Sequence, residues 1–301
     1  MKIDKRIWKT GALAVAVTIV WAIIVFRAAD WSKALDGDFL VYGQTAGTGG
    51  TVGGTGTTGG TTVTVTKVIP QVAAGSFDGN LTKYTTVAEI VNTGATALTV
   101  SGNFYKQDGT ASTIPFTTNL SSLASFTGSF SGASLPAGGI LVLTTGSVTS
   151  GSIGWGRIVT TGGVSIASLF EIRDVSTGIL YSRVGVQASA ADMSSFVIPR
   201  LSNVASQLDV AFALVNTGAA SANVTATLKD VNGQTLATRV LSLAALNQTA
   251  KFAREFFTLT NEPSATSYSY MVFDSTSPQF AAIALAFEGA TQTSFPVDRL
   301  R

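Results

Sequence analysis

Five glutamates, a few Asp-led turns and four tyrosines are the side chains of this sequence that could do chemistry. Glu89, Glu171, Glu255, Glu262 and Glu288 are candidates for the carboxylate pair that cleaves a glycosidic bond without histidine. Glu171 and Glu288 end two similar apolar runs, SIASLFE (165–171) and AIALAFE (282–288), and align as equivalents. A catalytic pair must converge in one site, so the expected role is structural: strand-end carboxylates bonded to nearby backbone or to an arginine such as Arg173. Calcium needs clustered oxygen ligands. Asp36 and Asp38 in LDGDF are too sparse, and the turns DVSTG (174–178) and DVNGQ (230–234) carry one acid each. Tyr84, Tyr105, Tyr268 and Tyr270 could face outward and stack on sugars, or serve as packing and rim residues of strands.

Composition narrows the chemistry further. The 301 residues include no cysteine and no histidine. Thiol nucleophiles, disulfides, Cys-ligated zinc, Ser-His-Asp catalysis and His-ligated metals are therefore excluded. The expectation is a non-enzyme with no catalytic, cofactor-binding or metal-ligating residues and no cofactor. Only 12% of residues are charged, and 46% are hydrophobic. Six cations and four acids precede Gly43, so the rest carries 13 of each. A neutral, sparsely charged body lacks the cations that release counterions from a phosphate backbone, so nucleic acid is excluded as a partner.

The elements that would carry these residues follow from pattern. Val91-Asn92-Thr93-Gly94 recurs as Val215-Asn216-Thr217-Gly218, and Asp108-Gly109 recurs as Asn232-Gly233 at the same spacing. Between them the residues alternate. Leu98, Val100, Gly102 and Phe104 fall on one face, as do Ala222, Val224, Ala226 and Leu228. Period-two alternation marks half-buried strands. Asp-Gly and Asn-Gly supply hairpin turns. In NTG, the asparagine is expected to close an Asx turn and the glycine to take a left-handed conformation. Val68-Ile69-Pro70 and Val197-Ile198-Pro199 are expected to begin the first strand of each copy. The first copy is longer late on, and 119–139 reads as its extra loop. FAREFFTLTNEP (252–263) could hold a helical turn.

The fold class expected is all-β: two tandem antiparallel β-sandwich domains of immunoglobulin-like type, preceded by one N-terminal hydrophobic helix. A single closed barrel spanning both copies fits the repetition less well. The VNTG strand end, the Thr/Val/Ala alternation and the DG or NG hairpin resemble immunoglobulin-like modules arranged in tandem on exported bacterial and archaeal proteins. The resemblance covers about two thirds of the chain. It implies a spacer, an adhesive stalk or a fibre subunit, and brings no catalytic residues with it.

The N-terminal end suggests the setting. Lys2, Lys5, Arg6 and Lys9 lead into the apolar stretch 7–26, which as a helix would nearly cross a bilayer core of about 30 Å. A retained signal anchor is favoured, because small residues are not paired before Ala28 or Ala29. A cleaved signal peptide is the alternative, leaving a secreted protein. A helix that bundles in a filament is a third use. The stretch 44–62, almost all Gly and Thr, reads as a flexible tether. The organisation expected is 1–42 anchor and membrane-proximal segment, 43–62 linker, 63–186 first sandwich, 187–195 short linker or helical turn, and 196–301 second sandwich. Partners are the membrane through 7–26, and then other surface proteins, a second copy or glycans. The body is expected outside the cytoplasm, at the cell surface or in the periplasm.

Overall fold

The computed structural model describes residues 64–260, 265–288 and 291–300. The anchor and the Gly/Thr tether expected at 1–42 and 43–62 lie outside them, as does Glu262. No helix among the described residues is long and apolar enough to cross a membrane.

The alternation read from sequence does produce strands. Residues 65–187 form β1 (Val65–Ala74), β2 (Thr82–Asn92), β3 (Leu98–Lys106), β4 (Pro115–Thr118), β5 (Ser125–Thr127), β6 (Ser129–Leu135), β7 (Ile140–Thr145), β8 (Ser152–Thr160), β9 (Val164–Asp174) and β10 (Leu180–Gln187). Residues 195–299 form β11 (Ser195–Ser202), β12 (Asp209–Asn216), β13 (Ala222–Asp230), β14 (Thr235–Leu243), β15 (Gln248–Phe252), a five-residue helix α1 (Ala253–Phe257), β16 (Ser267–Asp274), β17 (Phe280–Glu288), β18 (Thr291–Phe295) and β19 (Asp298–Arg299). The helix falls inside the segment expected to hold one.

The strands make four open antiparallel sheets, ordered β1-β8-β3-β6, β10-β9-β2-β7-β4-β5, β14-β13-β16-β11-β19 and β15-β12-β17-β18. The described residues therefore form no single closed barrel. In each part of the chain two sheets face one another across an apolar core, as in a β-sandwich. Ile69, Val100, Phe104 and Ile158 meet Ile90, Leu141, Leu143 and Phe116 in 65–187. Phe196, Val224, Leu228 and Phe273 meet Phe212, Leu214, Phe280 and Ala284 in 195–299.

Strand order repeats as well. β6-β3-β8-β1 corresponds to β14-β13-β16-β11, and β7-β2-β9-β10 to β15-β12-β17-β18. VIP holds its place: Ile69 pairs with Gly156 and Ile198 with Met271, at matching levels of the two sheets. The longer first copy is explained differently from the sequence reading. Part of 119–139 is the strand β6, the counterpart of β14. The added element is the β4–β5 hairpin, which extends the sheet beside β7.

The repeated asparagines are buried and do the same work. Asn92 Nδ2 donates to the carbonyls of Thr96 (2.8 Å), Leu135 (3.2 Å) and Pro136 (2.9 Å). Asn216 Nδ2 donates to Ala220 (2.8 Å), Leu243 (3.0 Å) and Ala244 (3.0 Å). The Asx turn is present in both, with the Gly94 and Gly218 N–H donating to Oδ1 at 2.9 Å. A side chain with two donors and an acceptor thus ties the end of one sheet to the strand that closes the other. The left-handed glycine expected at these positions is not found. Neither Gly94 nor Gly218 has positive φ, whereas the hairpin glycines Gly109 and Gly233 do, at 79° and 78°. Both hairpins close alike, by Gly109 N–H to Lys106 O and Gly233 N–H to Asp230 O.

One equivalence fails. Asn92 pairs with Val164, and Asn216 with Phe280, so Phe287 and not Glu288 stands where Glu171 stands. The alignment of SIASLFE with AIALAFE is slipped by one residue, which puts every side chain on the opposite face of the sheet.

Candidate functional site

The feature with the most built geometry is the seam between 65–187 and 195–299. It starts at the segment expected as a linker, which is neither free nor a helical turn. Ser189 makes a two-way backbone bridge with Val68 (3.0 and 2.8 Å), and Met193 makes one with Phe280 (2.9 and 3.0 Å). Thr217 Oγ1 donates to Ala191 O. Backbone donors and acceptors of the connection are thus spent on both parts, where a free connection would spend them on water.

Beyond the connection the seam is apolar. Val68, Trp155, Val215 and Ala281 form a cluster with no solvent exposure. Tyr105, expected outward, lies stacked on Trp155 with ring centroids 4.5 Å apart. Trp155 Nε1–H donates to Leu246 O at 2.8 Å, so the indole buries its ring and keeps its one polar group satisfied. A second cluster joins Phe170 and Val184 to Ala213, Ile283, Leu285 and Phe287. β17 is accordingly buried along eight of its nine residues. One face meets its own core and the other meets the first part of the chain.

Polar groups fix the register of the seam. Gln248 Nε2 donates to Pro70 O (2.6 Å), Gln71 Oε1 (2.7 Å) and Gly154 O (3.2 Å). The Gln248 N–H donates to Gln107 O at 2.9 Å, and Arg157 donates to Thr217 O. At its edge the seam opens into a cleft of about 600 Å³, walled by Gln187, Ser189, Met193, Ile283, Phe295 and Val297. Asp298 and Arg299 stand at its rim, with Arg299 Nη1 paired to Asp192 at 3.1 Å. The recess offers an amide, a hydroxyl and an ion pair, which suits hydrogen-bonded contact. It presents no nucleophile beside a base.

The candidates raised from sequence are scattered. Glu171 lies between Arg173 (3.1 Å) and Arg183 (2.6 Å) as a strand-to-strand ion cluster. Glu255 pairs with Lys251 four residues earlier. Glu89 and Glu288 are exposed. Asp174 spends its oxygens inside its own turn, accepting from Ser176 Oγ, the Thr177 N–H and hydroxyl, and Tyr181 OH at 2.7–2.8 Å. Those donors hold its carboxyl below the usual range. Asp230 accepts the N–H groups of Asn232 and Gln234. Among the described residues no three acids gather into a metal site. Of the two roles open to it, Tyr84 takes the packing one: it is buried, and burial pushes its phenol well above the usual range. Tyr268 is 63% exposed.

Two features were missed from sequence. The seam had a signal, since AAIALAF is apolar on both faces, as strands covered on both sides are. The buried ion pair of Arg200 and Asp209 had none. Arg200 Nη2 stands 2.8 Å from Asp209 Oδ1, and both side chains are almost wholly buried. Asp209 Oδ2 also accepts the Arg254 N–H, fixing the start of α1. Burial pushes the Asp209 carboxyl up despite the guanidinium beside it.

Comparison of the chain with protein-family models, with curated proteins and with solved structures found no match.

Proposed function

We propose that this chain is a non-enzymatic surface protein: two tandem immunoglobulin-like sandwiches held outside the cytoplasm by the apolar segment 7–26, on the Gly/Thr tether 43–62. Its work is mechanical, as a spacer, an adhesive element or a part of the envelope. One observation carries the reading. The solvent-free cluster of Val68, Trp155, Val215 and Ala281 clamps 65–187 to 195–299 side by side, and so makes a stiff unit of two repeats. A fixed shape on a flexible leash is what presentation or spacing needs. An assembling subunit is the second reading, and the uncovered edge strand β14 favours it.

The test is location and processing of the native protein. Mass spectrometry of its N-terminus should find residues 7–26 retained. External protease on intact cells should remove 65–300 and leave the membrane fraction holding the N-terminal piece. A body protected from external protease until the cells are lysed overturns the proposal.

A further inference from the structure

Twelve large hydrophobic side chains are exposed among the described residues, and five of them gather at one place. Leu81 ends the β1–β2 turn, and Val175, Ile179, Leu180 and Tyr181 lie in and beside the β9–β10 turn, all between 36% and 61% exposed. The Val175 N–H donates to Leu81 O at 3.0 Å, so the two turns form one knuckle. Its backbone is satisfied from within. The N–H groups of Asn80 and Leu81 reach Ser76 Oγ and Asp78 Oδ1. Those of Thr177, Gly178 and Ile179 reach Asp174 Oδ1, Asp174 O and Thr177 Oγ1. Asp174 also accepts the Tyr181 hydroxyl. Apolar side chains thus stand outward on turns whose donors need no water, which suits a phase that offers no hydrogen bonds.

We propose that this knuckle is a lipid-contact site, at which Leu81, Val175, Ile179 and Leu180 enter the interfacial layer of an electrically neutral bilayer and Tyr181 lies at headgroup level. The charged side chains on and beside the two turns balance, Lys83, Arg173 and Arg183 against Asp78, Glu171 and Asp174. Contact is therefore by apolar insertion, with no bias toward an anionic surface. The proposal rests on the anchored reading above, because the bilayer that holds 7–26 is the one within reach. β1 carries the chain about 30 Å from Val65 toward the knuckle. The 20 residues of the Gly/Thr tether 43–62 span about 25 Å at rest. A second contact on a tether is most favoured when tether and span match in length. Two holds on one membrane fix which way the sandwiches face.

The chain has no native cysteine, so one introduced thiol carries one environment-sensitive fluorophore. The full-length protein is reconstituted into phosphatidylcholine vesicles with nitroxide-bearing lipid as quencher. A label at Ile179→Cys should be quenched about three-fold, and one at Val231→Cys, on the exposed β13–β14 turn, should not be. Raising the salt concentration should leave the quenching unchanged, since screening does not act on a neutral contact. Leu81→Ser with Val175→Ser should lower it about ten-fold, because interfacial binding scales with buried apolar area. Both residues are exposed, so the fold is spared. No quenching at Ile179→Cys overturns the proposal, as does equal quenching at Val231→Cys or its loss at high salt. A blue-shifted but unquenched label overturns it too, since a protein then covers the knuckle. A label at Ala14→Cys, in the apolar stretch, reports the anchor by itself. Quenching at Ala14→Cys without quenching at Ile179→Cys fails this site alone, and the reverse fails the anchored reading alone.

Discussion

The sheets β1-β8-β3-β6 and β11-β16-β13-β14 share one design and meet different fates. Pairing register makes Val68 the counterpart of Val197, Trp155 of Tyr270, and Tyr105 of Lys229. In the first sheet these outward residues are covered by β12 and β17 of the second part, and Val68 and Trp155 have no exposure. In the second the same positions face outward without such cover. The free edges differ too: β6 has seven residues with a register shift and left-handed Gly132 inside it, whereas β14 has nine, with its register shift near its start. A repeat thus separates what the module needs to fold from what each copy adds. The buried asparagine and the hairpin belong to both copies. The covered face and the open edge belong to one each.

The largest expected effect tests the covered face. Trp155→Ala should cost about 3–5 kcal/mol, the range for emptying a buried aromatic site. Tyr270→Ala, at the matched uncovered position, should cost less than about 1 kcal/mol. Denaturant midpoints measure both, and equal losses would end the distinction between the faces.

The closed end of the second part is next. Arg200 and Asp209 stand where the first part has Val72 and Thr85, as the pairs Arg200–Ser269 and Val72–Gly154 show. Arg200→Met should cost about 3–5 kcal/mol, because a buried carboxylate loses the guanidinium paired with it. Replacing both, with Asp209→Leu added, should recover most of that loss. A double variant no better than the single would contradict this. The raised Asp209 pKa also has a sign. The folded state holds that proton more tightly than the unfolded chain. Its contribution to stability is therefore fully present below about pH 4, the unfolded carboxyl range. It is lost as pH rises through the folded value. Asp209→Asn should flatten that part of the stability–pH curve.

A shared element should give matched losses. Asn92→Ala and Asn216→Ala each remove the donor from three carbonyls and the acceptor from a turn N–H, at about 2 kcal/mol apiece. Unequal losses would show that the seam supports one of the two loops. The smallest contrast concerns the glycines beside them. A Cβ at Gly218 would come within 2.4 Å of Gln279 Oε1, while at Gly94 its nearest neighbour is Asn92 Oδ1 at 3.3 Å. Gln279 Nε2 donates to Asn216 Oδ1 (2.9 Å) and Ala220 O (3.1 Å). Gly218→Ala should therefore cost about 1 kcal/mol by displacing that amide, and Gly94→Ala less, read as a difference in melting temperature.

Sequence pattern reached the strands through backbone chemistry that acts locally. Alternation set the faces of β3 and β13. Asp-Gly and Asn-Gly set the hairpins, and VIP marked β1 and β11. It slipped at β9 and β17 for a physical reason. AAIALAF is buried on both faces, so its hydrophobic pattern has no period to fix the register, and a one-residue error costs nothing visible in sequence. The same run, apolar on both faces, was the trace the seam left in the sequence.

By itself the sequence determined an all-β chain made of repeated strand-and-hairpin phrases, without thiol or imidazole chemistry, because alternation and turn residues act within a few positions of themselves. Only the tertiary structure decided which outward face is covered, which edge stays open, and that Trp155 seats against Leu246 while Arg200 seats against Asp209. Those outcomes depend on surfaces brought together from distant parts of the chain, where shape and desolvation select the partner and local spacing carries no record of it.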